Sequence, residues 1–227
     1  MTGSHDIRAI VPVVAAAGVA TYWFPAATAV VRSLRGPLGI VDRADGGIAL
    51  TFDDGPHPEG TPAVLEVLRE YGAQATFFLV GEQVARRASL AAEIAAAGHT
   101  VGTHCYRHRS LLRLTPGQVW SDLDRASTLI AEATGREPAL YRPPYGVLNL
   151  AALAFARSRG WTTLLWTRDG RDWERRASAD SIAGRLTRRL EPGEVLLLHD
   201  ADFYAAPGSW RRSVAALPRV LEALAAV

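Results

Sequence analysis

The sequence predicts an α/β fold built around a parallel sheet. Beyond about residue 45, short apolar runs alternate with helical patterns, which is typical of repeated βαβ units. Proline stands at predicted helix starts and glycine at predicted helix ends. The chain has 227 residues, of which 48% are hydrophobic and 21% charged. A chain of this length and composition is expected to form one domain with a full core.

Six apolar runs are predicted to be buried strands, and helical patterns lie between them. The predicted strands span residues 48–52, 75–80, 100–103, 140–142, 162–166 and 195–198. The predicted helices span residues 82–97, 115–133, 150–159, 179–190 and 214–226, and a further helix opens at Thr61-Pro62. Polar residues cluster just after the strands, so we expect a functional site at the carboxyl edge of the sheet.

The N-terminal segment forms a separate region. Residues 9–31 carry no charged side chain and are about numerous enough to cross a bilayer as a helix. Three interpretations are open: an uncleaved membrane anchor, a cleaved signal peptide with its cut near residues 26–29, or an apolar helix packed on the domain. We therefore divide the chain into a hydrophobic segment with a linker, residues 1–44, and a folded domain, residues 45–227.

This segment predicts membrane association through residues 9–31 and a protein that is membrane-anchored or exported, with its domain outside the cytoplasm. Arg8 precedes the segment, whereas Arg32 and Arg35 follow it. By the positive-inside rule, this arginine bias favours the opposite orientation. The segment and its flanking charges thus give conflicting indications of orientation.

Charge and cysteine content argue against several classes of protein. The net charge is only +2, and the basic residues, all arginines, form no stripe with interleaved aromatic residues. Nucleic acid is therefore not an expected partner. The single cysteine, Cys105, excludes an intrachain disulfide. A cysteine nucleophile needs an activating base, and the neighbouring His104 and His108 suit a metal site better.

The first chemical motif is Thr51-Phe52-Asp53-Asp54-Gly55-Pro56, at the end of a predicted strand. Adjacent strand residues point to opposite faces, so the two carboxylates converge only if the chain turns there, and Gly55-Pro56 is a turn signal. Two nearby carboxylates push their pKa values apart unless a cation lies between them. A plain Asp-Asp-Gly-Pro loop is the alternative. His57 follows directly and is interpreted as an exposed bystander rather than a ligand.

The second motif is the pair His104 and His108, which follows another predicted strand. Histidines four residues apart can face one ion if the residues between them form a helical turn. With Asp54 they make three ligands and leave one coordination position open, as in catalytic metal sites. Such a donor set suits Zn²⁺, and Co²⁺ or Ni²⁺ could serve.

Three more motifs stand at strand ends. Arg142-Pro143-Pro144-Tyr145-Gly146 combines a stiff loop with an arginine that could hold a carboxylate ionised. Asp172-Trp173 and His199 follow the last two predicted strands. Taken alone, a turn with an exposed arginine and a structural histidine are equally open interpretations.

Together these five segments, in order from Thr51 to Asp200, resemble the signature of the polysaccharide deacetylases of carbohydrate esterase family four. The resemblance covers about two thirds of the chain. It implies a distorted, incomplete (β/α) TIM-like barrel. It also implies a catalytic domain over residues 45–227 that removes N-acetyl groups from hexosamine residues of a glycan with a divalent metal.

The resemblance also implies a role for each motif residue. Asp54, His104 and His108 match the metal ligands. Asp53 matches the catalytic base, Arg142 the arginine that holds it, and the Tyr145 N–H an oxyanion donor. The remaining matches are His199 as the general acid, Asp172 as its partner (with Asp169 as the alternative), and Trp173 and Leu197 as walls of the pocket for the acetyl methyl group.

Two other functions remain open on the sequence alone. One is a non-catalytic carbohydrate-binding module on the same fold, and the other is a deacetylase of a small non-polymeric amide. The glycan itself, whether peptidoglycan, a chitin oligomer, another N-acetylated glycan or a lipid-linked sugar, is not specified, and neither is the oligomeric state. Asp200 and Asp202 are interpreted as loop acids that could contact sugar hydroxyls. Trp120, Trp161 and Trp210 are expected to serve packing rather than sugar binding.

Overall fold

A computed structural model of the chain describes residues 20–227. Within this range, eight strands form a single sheet in the order β1-β6-β5-β4-β3-β2-β8-β7, and all neighbouring pairs are parallel. The strands are Ile40–Val41 (β1), Ala49–Asp53 (β2), Thr76–Leu79 (β3), Thr100–Thr103 (β4), Leu140–Tyr141 (β5), Thr162–Leu164 (β6), Arg168–Asp169 (β7) and Val195–His199 (β8). Because β1 and β7 occupy the two edges, the sheet stays open. The prediction of a parallel α/β fold is confirmed.

Helices connect most of these strands. They are Gly60–Glu70 (α1), Gly81–Arg86 (α2), Ala88–Ala96 (α3), Pro116–Thr134 (α4), Leu150–Ser158 (α5), Ala179–Thr187 (α6) and Ser209–Leu224 (α7). Short 3-10 turns occupy Phe24–Ala29, Arg32–Leu34, Gly36–Leu38, Leu111–Arg113 and Pro144–Gly146. Helix α4 shows why the local signals worked: Thr115 and Gln118 form a capping box, Pro116 opens the helix, and Gly135 ends it with a φ of 72°.

The predicted strands are confirmed to within two residues at each end, but three helix predictions need correction. The predicted helix over residues 82–97 is two helices, because Arg87 leaves the helical region with φ −145° and ψ 52°. The last helix begins at Ser209 rather than at residue 214, since Trp210 buries its side chain in the first turn. Helix α6 ends at Thr187, three residues before the predicted end, where Arg188 turns extended.

Alternation along the strands divides the side chains between two faces of the sheet. Leu50 and Phe52 of β2, like Leu196 and Leu198 of β8, pack against the surrounding helices in the main core. The intervening residues, among them Asp53, point to the opposite, inner face. The same apolar pattern that fixes the core therefore directs polar side chains at strand ends into the curled sheet.

The stretch predicted as a linker contributes to this sheet. Strand β1 pairs with β6, with Ile40 opposite Thr163 and Val41 opposite Leu164. Earlier in the chain, within the predicted hydrophobic segment, the Tyr22 hydroxyl donates to the Leu114 carbonyl at 2.9 Å. Neither β1 nor β7 was predicted, because a two-residue strand has no apolar alternation for a sequence pattern to detect.

The predicted membrane segment is only partly visible. Residues 9–19 lie outside the described residues, and residues 24–29 form a 3-10 turn. Over the described range, 20–227, none of the helices has the length and apolar character that a membrane crossing requires. The three interpretations of residues 9–31 stay predictions.

Candidate active site

The site is built first by strand register. Strands β2 and β8 are neighbours, and Asp53 at the end of β2 lies directly opposite His199 at the end of β8. One step earlier on the same face, Thr51 lies opposite Leu197. Three polar residues and one apolar wall residue thus meet at the carboxyl edge on the inner face, where parallel sheets place their sites.

Asp53 is held by a buried arginine. The Arg142 Nη1 donates to Asp53 Oδ1 at 2.7 Å and to the Thr51 hydroxyl at 2.7 Å, while its Nε donates to the Leu164 carbonyl. The guanidinium also lies 4.1 Å from the centre of the Phe78 ring. Burial raises the pKa of Asp53, and the charges of Arg142 and His199 oppose that rise. Because Arg142 occupies Oδ1, the Oδ2 atom is the one left to face the site.

The two adjacent carboxylates converge because the main chain turns at Asp54 itself, where φ is 79°. The turn therefore begins one residue before the predicted Gly55-Pro56 signal. Gly55 is needed for close approach: a Cβ there would overlap the carboxylate of Asp200, which lies directly behind it. The plain-loop alternative is wrong, because Asp53 and Asp54 are both buried.

Asp54, His104 and His108 form a cluster whose ligand atoms lie within 4.8 Å of one another. The Asp54 Oδ1 is 3.6 Å from His104 Nε2 and 3.4 Å from His108 Nε2. This oxygen is buried and has no hydrogen-bond partner among residues 20–227. The His104 Nδ1 donates to the Arg142 carbonyl at 2.7 Å, which leaves the Nε2 lone pair directed at Asp54.

The charge states of this cluster fit a cation. Burial lowers the pKa of His104 to about 3 and that of His108 to about 3, so both rings are neutral donors at neutral pH. Burial raises the pKa of Asp54 to about 7, against the opposing charge of His199. A buried carboxylate of this kind stays ionised most readily beside a positive ion. An unpartnered oxygen facing two neutral imidazoles is the donor set that a divalent metal takes.

The histidines do not reach this arrangement by the predicted helical turn. Residues 104–108 form an irregular loop that bends at Cys105, where φ is 67°. Cys105 is fully buried, and burial raises its pKa well above the ordinary value, which makes it a poor nucleophile. The loop therefore positions both imidazoles through a strained residue rather than through helical spacing.

His199 is charged and oriented by Asp172. The His199 Nδ1 lies 2.9 Å from Asp172 Oδ1, and its main-chain N–H donates to Asp172 Oδ2 at 2.7 Å. The Ser213 hydroxyl donates to the same oxygen. Burial alone would lower the pKa of His199, but Asp172, together with Asp54 and Asp53, raises it to about 10. Asp169, the alternative partner, lies beside Arg171 instead.

A cavity of about 260 Å³ opens over these groups. Its walls include three residues predicted to bind substrate, namely Tyr145, Trp173 and Leu197. Arg142 and Asp172 lie behind the cavity, in contact with Asp53 and His199 respectively. The structure thus brings every predicted site residue into the cavity wall or into contact with it.

The sequence missed three wall residues, Trp166, Tyr204 and Ala205. Trp166 closes a predicted strand, and its position at a strand end was a usable signal. Tyr204 stands in an irregular loop and gave none. Its ring stacks on His108 at 4.4 Å, while Tyr145 meets His108 edge-on at 4.5 Å, and the Tyr204 hydroxyl donates to Glu82 at 2.7 Å.

The Tyr145 main chain adopts a left-handed conformation, with φ 61°. The two hydrogen bonds that close its turn are donated by the next two residues, Gly146 and Val147. Its side chain is 59% exposed and forms part of the cavity mouth.

Two polar residues near the motifs, His57 and Asp200, differ from prediction. His57 is buried rather than exposed; its Nδ1 accepts from the Gly60 N–H, and its Nε2 is 3.3 Å from Asp202. Asp200 is fully buried and accepts from the Thr61 hydroxyl, and burial raises its pKa to about 7. The Asp200 carboxylate lies directly behind Gly55 in the Asp54-Gly55 turn. Asp200 therefore cannot contact sugar hydroxyls.

The tryptophans outside the cavity divide between core and surface. Trp161 and Trp210 are each 8% exposed and serve packing, as predicted, while Trp120 is 45% exposed and packs edge-on against Phe155. Neither Trp120 nor Trp161 lines the cavity, whereas Trp166 and Trp173 do.

Comparison with known proteins places this geometry in context. A family model described as polysaccharide deacetylase matches residues 41–164. A peptidoglycan-N-acetylglucosamine deacetylase of Bacillus cereus is 36% identical over 180 residues, which cover 78% of this chain and 81% of that protein. A chitooligosaccharide deacetylase of Bradyrhizobium is 37% identical over 171 residues, which cover 72% of this chain and 78% of that protein.

A solved structure shows the same fold. A family 4 carbohydrate esterase from Streptomyces lividans, in complex with acetate, superposes with a TM-score of 0.71 at 36% identity. The match covers 80% of this chain and 89% of that chain. With the open, eight-stranded parallel sheet, this likeness confirms the predicted distorted, incomplete (β/α) barrel.

Proposed function

Because this chain belongs to the polysaccharide deacetylase family, we propose that it removes N-acetyl groups from hexosamine residues of a glycan with the help of a divalent metal. The chain is a hydrolase that acts on carbon–nitrogen bonds other than peptide bonds, as the family's deacetylases are. One observation carries the metal part of the proposal: the buried, unpartnered Asp54 oxygen faces two neutral imidazole nitrogens.

Asp54, His104 and His108 are the residues that would hold the metal. A divalent ion in that position supplies Lewis acidity, which polarises the acetyl carbonyl and acidifies water. Zn²⁺ suits two imidazoles and one carboxylate, and Co²⁺ or Ni²⁺ could replace it. The rest of the chemistry falls to the side chains around the cavity.

Asp53 is the proposed base. Its Oδ1 is fixed by Arg142, and its Oδ2 is free to take the proton of the attacking water. Trp173 and Leu197 hold the acetyl methyl group between them and exclude bulk water. The main-chain N–H of Tyr145 is the proposed donor to the developing oxyanion, an interaction of about 3 kcal/mol in comparable sites.

His199 is the proposed acid. Its raised pKa keeps the imidazolium available at neutral pH, with Nε2 on the cavity side and Nδ1 bound to Asp172. It gives its proton to the nitrogen as the carbon–nitrogen bond breaks. Water is thereby divided between the products: hydroxyl goes to the acetyl carbon to give acetate, and hydrogen goes to the nitrogen to give a free amino sugar.

The relatives named above act on peptidoglycan and on chitooligosaccharides, and we propose a substrate of this class. The apolar run over residues 9–31 supports a membrane-anchored or exported protein that acts on envelope material. A base, an acid and three ligand side chains converge in one cavity, so no observation on the described residues favours the binding-module alternative.

The test is acetate release from N-acetylglucosamine oligomers by the full chain, before and after chelation and with Zn²⁺ added back. We expect release that stops on chelation and returns with the metal. Asp53→Asn is the matched control, because it removes the base and leaves the ligands. Release that persists in a metal-free sample would reject metal dependence, and no release from a metal-loaded sample would reject this substrate class.

A further inference from the structure

A second pocket stands beside the site and plays no part in the mechanism above. It has a volume of about 330 Å³ and is lined by three arginines, Arg107, Arg109 and Arg125, which we call the arginine pocket. A larger cavity of about 440 Å³ lies near Gln74, at the amino end of β3 and away from the site. That cavity carries both signs of charge, with Arg69 bound to Glu66. Unlike that cavity, the arginine pocket combines excess positive charge with a place on the loop that carries His108.

The arginine pocket lies at the same edge of the sheet as the candidate active site. Arg107 and Arg109 flank His108 on the loop after β4, and Arg125 projects from the first half of α4. That half of the helix follows the loop directly, so it also stands at the carboxyl edge. Two of the three arginines therefore stand on the loop that also supplies His108 to the cavity.

The pocket is preformed. Tyr106 forms its floor, with the Arg125 guanidinium 3.9 Å and the Arg107 guanidinium 5.8 Å from the ring centre. Arg109 is fixed by Asp122 at 3.1 Å, and Asp122 also accepts the main-chain N–H of Tyr106. Stacking on an aromatic ring holds a guanidinium in place while leaving its N–H groups free to bind.

The pocket also carries charge that the protein leaves unpaired. Asp122 is its only acidic lining residue and is bound to Arg109. Within residues 20–227, neither Arg107 nor Arg125 forms an ion pair with a carboxylate. Three guanidinium groups against one carboxylate leave a net charge of two positive units. Paired guanidinium forks match the planar oxygens of a carboxylate or a phosphate.

We propose that the arginine pocket binds an acidic group, a carboxylate or phosphate, on a sugar that flanks the one being deacetylated. This rests on the proposed function, since it assumes that a glycan occupies the cavity. It makes the preferred substrate an acidic glycan rather than a neutral one. A chitin oligomer lacks such a group, whereas a strand of alternating N-acetylglucosamine and N-acetylmuramic acid without stem peptides carries a carboxylate next to each N-acetylglucosamine.

The test compares kcat/KM on three substrates of equal length: a neutral N-acetylglucosamine oligomer, a strand containing N-acetylmuramic acid, and the same strand with its carboxylates amidated. A phosphorylated chitin oligomer separates the two acidic sources. We expect at least a tenfold preference for an acidic substrate, carried by KM and weakened by salt. Arg125→Glu should abolish the preference, and Arg185→Gln, a distant exposed arginine on α6, should not change it.

Binding of the same oligomers, measured by calorimetry, reports on the pocket without turnover. Suppose that the acidic strand binds more tightly than the neutral one, that Arg125→Glu removes this advantage, and that no substrate releases acetate. That result would reject the proposed function and support the arginine pocket. Equal kcat/KM on neutral and acidic strands, or a preference that survives Arg125→Glu in a folded protein, would reject the pocket. If Arg125→Glu does not fold, Arg107→Gln provides a second test, and it should also reduce the preference for the acidic strand.

Discussion

The two sides of the candidate site are held in different ways. On the strand side, Asp53 and His199 end neighbouring strands in direct register, and each binds a buried charged partner. On the loop side, the His108 ring contacts the rings of Tyr145 and Tyr204, and its Nδ1 has no hydrogen-bond partner among the described residues. Regular structure and charge fix one side, while aromatic contacts and, in our proposal, the metal fix the other.

This difference suggests separate tasks, with proton transfer on the strand side and metal binding on the loop side. The proposed base and acid, Asp53 and His199, are positioned by charged side chains of the protein itself, Arg142 and Asp172. The ligand side instead depends on a loop that can adjust to an ion and to a glycan. Substitutions on the strand side should therefore change catalysis, stability or pH dependence, whereas those on the loop side should change metal affinity.

The largest effect is expected at the strand side. Asp53→Asn removes the proposed base and should lower kcat by about 10²–10⁴-fold. Metal content should stay near that of the wild type, because Asp53 is not among the proposed ligands. Metal analysis and acetate-release kinetics measure the two quantities. Loss of the metal together with activity would mean that Asp53 is a ligand and would contradict the distinction between the two sides.

Arg142→Met tests whether charge pairing holds the strand side. It leaves the Asp53 carboxylate buried without its partner, which should lower the free energy of unfolding by about 3–5 kcal/mol. Denaturant titration measures this, and the double variant Arg142→Met/Asp53→Asn should recover part of the loss. A single variant as stable as the wild type would show that the pair does not support the fold.

Asp172→Asn tests how the acid is charged. Asp172 raises the pKa of His199, so its removal should lower that pKa. Activity needs protonated His199 and is lost as pH rises through its pKa; the alkaline limb of the pH–rate profile should therefore move to lower pH. An unchanged alkaline limb would mean that another group sets it. The acidic limb, which reports the base, should stay in place and serves as the internal control.

The smallest effect is expected on the loop side. Tyr204→Ala removes the ring that stacks on His108 and should weaken metal affinity about tenfold, as loss of outer-shell support does elsewhere. Tyr204→Phe keeps the ring but loses the hydrogen bonds of its hydroxyl with Glu82 and Gln83, and it should bind metal nearly as well as the wild type. Competition with a chelator measures both. Equal loss in the two variants would assign the effect to the hydroxyl instead of the stack.

The same division explains what the sequence could predict. The apolar runs in the sequence located β2 and β8. The motifs at strand ends were then sufficient to predict that Asp53, Arg142, Asp172 and His199 lie in one site. The family resemblance then supplied their roles. Strand ends can be predicted because burial fixes the register of a parallel sheet.

Loop geometry could not be predicted in this way. The turn at Asp54 and the bend at Cys105 both use positive φ at residues that rarely adopt it, and only tertiary contacts select such conformations. Tyr204 reaches His108 from a separate loop, without a local pattern. The burial of Asp200 behind Gly55 likewise depends on two segments that are distant in sequence.

Strand β1 has a consequence for how the protein can be handled. Its two residues cover the edge of β6, whose N–H and C=O groups would otherwise form an open row. Exposed rows of this kind recruit other chains and cause aggregation, and very short edge strands are one way in which proteins suppress it. A protein trimmed at residue 45, where the sequence pattern places the domain start, would lose that cover, whereas one trimmed before Tyr22 would keep both the cover and the hydrogen bond to Leu114.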